Sequence, residues 1–590
     1  MWRQTTPYLL FNSIVFLQGA LLFGLDTGSF GSLQALPSFL SRFGVANAAG
    51  TYALPATRKA LMNSLPWIGK LLGCFGSETF ITRTGYKKTM YLAGVIQIVA
   101  IIIELTSQHW AQFTVGRIIA YFAVGLVENA VPSYNAETAP AAIRGVFSAS
   151  IMMVSSLGNL WGAGMSRAYS TTLTKEGWII PTAMQFIPAV GLLSLIPWTP
   201  ESPRWLVAKG RKENAKEVLV KIRPKSEVES GATSLEVELM ETLLGESLAS
   251  KEGSWLELFQ GNHLRRTWIS ATLFILEQMN GNQFVQSYAA TFYTQQGLGA
   301  MSFTYTMIGQ VVGVVGCAIG ILLLDITGRR PLVIYGGAMC WFLLYLASGL
   351  GTMHPLNQNE TNTELACFML LPAFTRISAS NTAFLTGAEI GGIRMRKKTM
   401  AFGTACDVVA AFLVTFVTPY LLPHMGVNIG WIFGSVAAFS VVWGILFFPE
   451  LKGRGLEEVD ELFEAKIWAW QFKRYETCGA GRTLATLENE GQVYDSKETT
   501  DIQDHNSALG ETKSATVRRM HVDKGSNAVG YDLGGSDNNV TWAGEQWTSK
   551  IDNGKGHFPR GLDEETAKVE NDTIDVTVPD SEAVVVYFVV

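Results

Sequence analysis

The sequence is short of charge. Asp, Glu, Lys and Arg make up 16% of its 590 residues, whereas globular domains usually carry about 25%. Hydrophobic residues reach 48%, and the net charge of −5 is small. No compact basic domain is visible, so we expect no nucleic acid partner. The shortage of charge instead indicates a chain whose main surroundings are a lipid bilayer.

Cysteine and histidine are also scarce. The six cysteines and seven histidines are scattered, and the patterns HExxH and CxxC do not occur. Their spacing predicts neither a disulfide framework nor a zinc site. The GxSxG and phosphate-loop patterns of common enzymes are missing too. We therefore expect no metal, no cofactor and no enzymatic activity.

Long apolar runs fill most of the first 450 positions. A helix needs about 20 residues to cross the hydrocarbon layer, and twelve runs meet that length. The first is too long for a secretory signal and is expected to be retained. The predicted fold class is an all-α membrane protein with twelve transmembrane helices. Numbered in chain order, the predicted spans cover approximately 8–36, 61–82, 89–107, 112–135, 145–167, 178–198, 267–295, 302–324, 332–352, 365–390, 400–422 and 429–448.

Basic residues follow the even-numbered spans, as Arg83 and Lys87 do after span 2. Because Lys and Arg favour the cytoplasmic side, both termini are predicted to be cytoplasmic. Arg42 and Arg58, after span 1, are an exception. The sequon at Asn359 follows span 9 on the predicted outer side and is a candidate glycosylation site.

Three short motifs recur about 250 residues apart. "RTGYKK" at 83–88 returns as "ITGRR" at 326–330, and "AETAPAAIRG" at 136–145 as "AEIGGIRMR" at 388–396. "PESPR" at 200–204 returns as "PELKGR" at 449–454. Each pair follows corresponding spans, which predicts two six-helix bundles in parallel repeat with a binding site between them.

The predicted domains follow from this repeat. Residues 1–198 form the first bundle and 264–448 the second, and 199–263 form a cytoplasmic loop with short helices. Residues 449–590 are a cytoplasmic tail. The tail becomes rich in Asp, Asn, Gly, Thr and Lys without periodicity after about Lys466, which predicts that it is largely disordered.

Acidic and basic residues recur together at the predicted cytoplasmic helix ends. If they pair across neighbouring helices, they form a gate that closes the inner face. The alternative is that the arginines only follow the positive-inside rule, although this leaves the repeated acids unexplained. The candidate gate residues are Glu137, Arg144, Asp325, Arg329, Arg330, Glu389, Arg394 and Arg396.

Several motifs together resemble the sugar porter family of the major facilitator superfamily. They include "FGLDTG", "YNAETAPAAIRG", "PESPRWL", "LLDITGRRP" and "PELKGRGLEEVDELF". "RTGYKKT" and "RMRKKT" resemble most closely its fungal hexose and α-glucoside branch. The resemblance implies alternating access, a sugar substrate and the plasma membrane. We further expect a monomer.

Span 7 carries the highest density of polar residues in any span, in "LEQMNGNQFVQSYAATFY". Unsatisfied polar groups facing lipid are costly, so these side chains are expected to face the bundle interior. One or two such amides could merely join helices, but six favour a substrate site. Gly281 would permit a bend. The resemblance adds Asp407 of span 11 as a ligand or a second ionisable group. The candidate substrate residues are Glu277, Gln278, Asn282, Gln283, Gln286 and Asp407.

The resemblance has gaps. Thr82 stands where the family usually has Asp, Met152 stands where it has a sugar-contacting Gln, and Ser380-Asn381 replace Gly-Pro in span 10. These departures bear mostly on the identity of the sugar.

Asp26 is the only charge between Arg3 and Arg42. An ionised acid in a span costs about 2.5–3.5 kcal/mol, and binding a proton removes that cost. The family's proton-coupled members carry Asp here, so the resemblance implies proton coupling, with Arg117 of span 4 as partner. A permanent Asp26–Arg117 salt bridge is the alternative.

Two hypotheses follow. The first is proton-coupled uptake of a hexose or an α-glucoside, and the second is a non-transporting sugar sensor that signals through its tail. Lys70 and Glu78, which are further charges in span 2, have no assigned role.

Overall fold

The computed structural model describes most of the chain up to residue 475 and four short segments beyond it. The described residues are 6–46, 51–139, 144–229, 231, 233–234, 236–238, 240–241, 254–353, 357–452, 454, 456–465, 467–472, 475, 520–522, 529–531, 567–570 and 573–576.

All twelve predicted spans are helical, which confirms the predicted fold class. Among the described residues, seven helices or helix groups are long and apolar enough to cross a membrane by length and composition alone. In chain order the spans are Pro7–Leu33; Ala56–Thr84; Tyr86–Leu105; Trp110–Thr138; Arg144–Ala168; Glu176–Ala183 with Phe186–Leu195 and Ile196–Trp198; Gly261–Met279 with Asn282–Gln295; Met301–Thr327; Arg329–Gly351; Gln358–Thr375 with Arg376–Ser380 and Asn381–Ile390; Gly392–Met425; and Ile429–Leu446.

Three spans are interrupted. Span 6 is divided between Ala183 and Phe186, and span 10 has a π-helical turn at Arg376–Ser380. Span 7 breaks at Gly281, whose φ is 97°. This break confirms the bend predicted there. Glycine suits the position because an L side chain rarely adopts this left-handed conformation. Such irregular turns free backbone groups and re-aim side chains inside a helical bundle.

Each half packs around its own apolar core. In the first half, span 2 packs extensively against span 4, and span 1 packs against span 5. In the second half, span 9 packs against span 12, and span 7 packs against span 11. Gly24 and Gly28 of span 1 lie directly against the backbone of span 5 at Ser155 and Asn159. A side chain at either glycine would collide there, so the small residues permit the close approach that membrane helices favour.

The two halves meet along three helix pairs. These are spans 2 and 11, spans 5 and 8, and spans 1 and 7. Where spans 1 and 7 meet, the Gln34 side chain donates to the Ser287 carbonyl, and Asn63 donates to Gln34 at 2.9 Å. These contacts join the two halves near the end of span 1.

Several short helices and one strand pair lie between and after the spans. Helix Pro37–Phe43 is followed by a two-residue antiparallel strand pair, Val45–Ala46 with Tyr52–Ala53. Helix Lys212–Ile222 lies in the loop that was predicted to contain short helices, and it buries one apolar face. The remaining short helices are Pro203–Ala208, Lys225–Glu229, Trp255–Phe259, Gly426–Asn428, Leu456–Glu464 and Ala469–Gln471.

The chain divides into the units Met1–Glu490 and Gly491–Val590. In the second unit, Met520–Val522 pairs antiparallel with Val529–Tyr531, and Ala567–Glu570 with Thr573–Val576. The predicted domain boundaries and the disordered tail stay predictions.

Candidate functional site

Asp26 and Arg117 are in direct contact inside the first bundle. Nη2 of Arg117 donates to Oδ2 of Asp26 at 2.9 Å, and Gln185 of span 6 donates to Oδ1 at 3.3 Å. Both charged residues are at least 98% buried. The predicted pairing is therefore present, and the carboxylate has two donors in place of water.

Arg117 is held by more than Asp26. Its guanidinium donates to the Met62 carbonyl at 2.9 Å and to the Tyr121 hydroxyl at 3.1 Å. Its central carbon lies 3.8 Å from the centroid of the Phe30 ring. The guanidinium is thus fixed in position while its Nε has no hydrogen-bond partner.

Glu104 is a second buried acid in this place. It lies at the end of span 3, is 1% exposed, and interacts electrostatically with both Asp26 and Arg117. Its Oε1 accepts no hydrogen bond. Because Arg always carries one positive charge, two ionised acids would leave the group with a buried net negative charge. Neither Glu104 nor Gln185 was predicted from the sequence.

The break in span 7 positions the predicted substrate residues of the second half. Leu371 and Leu344 lie 3.2 and 3.3 Å from where a side chain at Gly281 would begin. The Asn280 side chain accepts the backbone N–H of Asn282 at 3.1 Å across the break. The second part of span 7 therefore starts at a fixed position with its first polar residues turned into the protein.

The amides of this span are buried and linked to one another. Gln286 donates to Asn282 at 3.0 Å, and Gln283 donates to Ser287 at 2.8 Å. Asn282 also accepts from Thr375 of span 10 at 3.4 Å. Asn282 and Gln283 are 5% and 2% exposed. These side chains line the interior, as expected, and do not face lipid.

Asp407 of span 11 forms a hydrogen bond with the first part of span 7. Gln278 donates to its Oδ1 at 2.6 Å. Its Oδ2 lies 3.8 Å from the ammonium of Lys70. The buried oxygens Glu277 Oε2 and Gln278 Oε1 accept no hydrogen bond from any residue that the structure describes. Unsatisfied buried acceptors are costly, and hydroxyl groups of a ligand are suitable donors to them.

The charged residues at the basic-loop end form matching arrangements in the two halves. Arg329 donates to Glu389 at 2.8 Å, while Glu450 accepts the backbone N–H groups of Arg329 and Arg330 at 3.0 Å each. In the first half, Glu201 accepts the backbone N–H of Tyr86 at 2.7 Å. Burial raises the pKa of Glu201, and its bonds from backbone N–H groups oppose that shift.

Glu137 bonds to hydroxyl groups in this structure. Tyr86 donates to it at 2.8 Å, and the Ser202 hydroxyl also donates to it. The side chains of four other candidate gate residues lie outside the described part of the structure; they are Arg144, Asp325, Arg394 and Arg396. Asn359 is exposed near the start of span 10, which is compatible with the predicted glycosylation.

Lys70, Glu128 and Arg376 are charged residues inside the spans whose roles the sequence did not predict. Lys70 pairs with Glu128 of span 4 at 2.9 Å. Arg376, in the π-helical turn, donates to Gln310 at 2.8 Å, and its Nη1 has no hydrogen-bond partner. Single charges inside apolar runs were the only available signal for these residues.

Comparison with known proteins finds one matching family and several similar proteins for the helical part of the chain. The family described as "Sugar (and other) transporter" matches residues 11–463. The "Low-affinity glucose transporter HXT4" of Saccharomyces cerevisiae (strain JAY291) is 28% identical over 464 residues, which are 77% of this chain and 80% of the relative. The "Hexose transporter HXT8" of the same species is 28% identical, with 81% and 86% covered.

Solved structures give the same fold. The proton:xylose symporter XylE bound to 6-bromo-6-deoxy-D-glucose has a TM-score of 0.64 at 24% identity, covering 77% of this chain and 99% of that one. The inward open xylose transporter XylE from E. coli has a TM-score of 0.63 at 23% identity, covering 77% and 100%. These likenesses confirm the major facilitator fold.

A separate match covers the end of the chain. The family described as "Glycosyl hydrolase family 79 C-terminal beta domain" matches residues 483–585, a range that includes the two described strand pairs of the second unit. This finding is an alternative to the predicted disorder.

The match to residues 11–463 spans most of the chain and coincides with the twelve helical spans, so the protein belongs to the family described as "Sugar (and other) transporter", has the major facilitator fold and is a multi-pass membrane transporter.

Proposed function

We propose that this protein takes up a hexose or an α-glucoside together with protons by alternating access. The observation that carries the proposal is the buried contact of Asp26 with Arg117 at 2.9 Å, in a bundle that packs against the amide-lined part of span 7. The charge of this carboxylate can be neutralised either by Arg117 or by a proton. Such a group is suited to couple proton binding to sugar uptake.

The second half supplies the sugar site in this proposal. A sugar presents hydroxyl groups that both donate and accept, and Gln283, Asn282 and Gln286 offer amides of both kinds. Glu277 and Asp407 offer carboxylate oxygens. The similar yeast proteins are named as glucose and hexose transporters, and the similar solved structure holds a glucose derivative. Both support a monosaccharide of this class.

Arg117 competes with the proton for the Asp26 carboxylate. While it bonds to Asp26, the carboxylate is stabilised in its ionised form. A movement of span 4 away from span 1 would leave the acid buried without its cation, and protonation then lowers the cost of burial. Proton binding is therefore linked to the relative positions of the helices, which alternating access changes.

The Arg329–Glu389 pair acts as part of the gate at the cytoplasmic end. Both residues are partly exposed, at 13% and 22%, so the pair is strong enough to favour a closed arrangement and weak enough to break during a cycle. The basic loops favour a cytosolic location for this end, and the plasma membrane is the proposed location.

The test is uptake of labelled D-glucose by the full chain in a yeast strain without its own sugar transport. We expect uptake to rise at acidic external pH, to fall with a protonophore and to lose this sensitivity in Asp26→Asn. Glu78→Gln, which removes an exposed carboxylate from span 2, serves as the control and should behave as the unmodified protein.

Uptake that ignores both the protonophore and Asp26→Asn would remove the coupling and leave facilitated diffusion. Binding of D-glucose without any flux would instead favour the sensor hypothesis.

A further inference from the structure

A second group of buried charges lies at the contact between spans 2 and 11. The ammonium of Lys70, a residue 2% exposed, is 2.9 Å from Oε1 of Glu128 and 3.8 Å from Oδ2 of Asp407. Lys70 and Glu128 belong to the first half, and Asp407 belongs to the second. One cation therefore neutralises an acid of its own half and an acid of the other half.

Aromatic residues enclose the ammonium. Nζ of Lys70 lies 4.8 Å from the centroid of the Phe23 ring and 4.9 Å from that of Trp67. Trp67 packs in a buried apolar cluster with Val408 and Ala411 of span 11. Water is thus largely excluded, and the electrostatic interactions of this group are strong.

The charges of the group do not cancel. Asp407 is faced by Lys70 and Cys74 from span 2, by Glu128 from span 4 and by Glu277 from span 7, with Cys406 beside it on its own helix. Three carboxylates share a single ammonium. Because buried ions without a partner are costly, the group is stabilised by binding at least one proton.

The two contacts of Lys70 respond differently to movement between the halves. The Lys70–Glu128 contact joins spans 2 and 4, which pack against each other within one bundle. The Lys70–Asp407 contact crosses the interface that changes in alternating access. When spans 2 and 11 separate, Lys70 stays with Glu128 and Asp407 loses its cation. The Gln278 amide remains as its one donor on span 7.

We propose that Asp407 is a proton-binding site of its own, separate from Asp26, which is filled when the two halves separate at spans 2 and 11 and emptied when Lys70 returns. The inference rests on the alternating access of the proposed function. It makes the proton the ligand of the Lys70–Glu128–Asp407 group and gives the second half a direct part in coupling.

The test does not need a transported sugar. Infrared difference spectra of the purified full chain are recorded between pH values of about 8 and about 5, where the carbonyl band of protonated carboxylic acids is observed. We expect Asp407→Asn to remove one component of that band. Asp26→Asn and Glu78→Gln should both retain this component.

The neighbours of Asp407 give opposite expected results. In Lys70→Met the acid has no cation in either arrangement, so it stays protonated over the range and its component leaves the difference spectrum. In Glu128→Gln, Lys70 pairs with Asp407 alone, so the component shifts to lower pH. A merely structural role for the three residues would not produce shifts of different kinds.

Two further measurements show whether a lost component results from misfolding of the variant. Asp407→Glu should retain a component at a shifted position, and circular dichroism should give the same helical signal for every variant used. A band that Asp407→Asn leaves unchanged overturns the inference. If Asp26→Asn still abolishes protonophore-sensitive uptake in that case, the proposed function stands without it.

Discussion

The Glu201 carboxylate accepts the backbone N–H of Tyr86 at 2.7 Å, and so holds the first turn of span 3 to the end of span 6. Glu450 does the same for Arg329 at the start of span 9. The glycine before each of these turns has a positive φ, 92° at Gly85 and 97° at Gly328. The motifs that repeat in the sequence are therefore packed against each other in the structure, once in each half.

Gly85→Ala is predicted to destabilise the protein. The new side chain would need a positive φ with an extended ψ, which essentially only glycine adopts, at a cost of about 1–3 kcal/mol, and would collide with the Glu201 carboxylate. We expect a lower melting temperature for the purified protein, and a similar fall for Gly328→Ala at Glu450. Gly164→Ala is the control, because a side chain there meets no atom within 4 Å. A fall as large in the control would contradict this account.

The spans and the repeat were predictable because each is a local property of the sequence. A long apolar run needs no partner to be identified, and Gly281 within the polar part of span 7 predicted the bend that the structure has. The contact between Asp26 and Arg117 was expected from the resemblance and is present. The roles of these two residues stay predictions.

The other charge pairs were not predictable because they depend on how helices cross. Lys70 and Glu128 are each isolated in an apolar run, and only the packing of spans 2 and 4 brings them together. Glu104, in the last turn of span 3, likewise interacts with Arg117 of span 4. Hydropathy identifies such residues as unusual, but it does not give their partners.

Glu104→Gln is predicted to change the pH dependence of uptake. With this acid neutral, Arg117 has Asp26 as its single carboxylate neighbour in the group, and the ionised form of Asp26 is stabilised. We expect the pH of half-maximal D-glucose uptake to move to a lower value, while the maximal rate at optimal pH changes little. The measurement is uptake over a pH series. A profile that coincides with that of the unmodified protein would mean that Glu104 does not act on Asp26.

Gln283→Ala is predicted to weaken sugar binding. Removing one buried amide that bonds to a ligand leaves its partners unsatisfied, at a cost of about 1–3 kcal/mol. We expect the KM for D-glucose to rise by roughly 5- to 150-fold, with a smaller effect on the maximal rate. Gln18→Ala is a suitable control, since Gln18 lines a shallow groove between spans 1, 5 and 6. An unchanged KM in Gln283→Ala would remove this amide from the site.

Glu389→Gln is predicted to weaken closure at the end that bears the basic loops. Arg329 would lose its charged partner at 2.8 Å, and a partly exposed pair of this kind contributes about 1 kcal/mol. We expect a lower maximal uptake rate and greater labelling of cysteines introduced near this end by a thiol reagent. Exchanging the charges in Arg329→Glu with Glu389→Arg should restore part of the rate, because the attraction is restored while each single change leaves like charges opposed. If the double variant transports no better than either single variant, the two residues do not act as a gate.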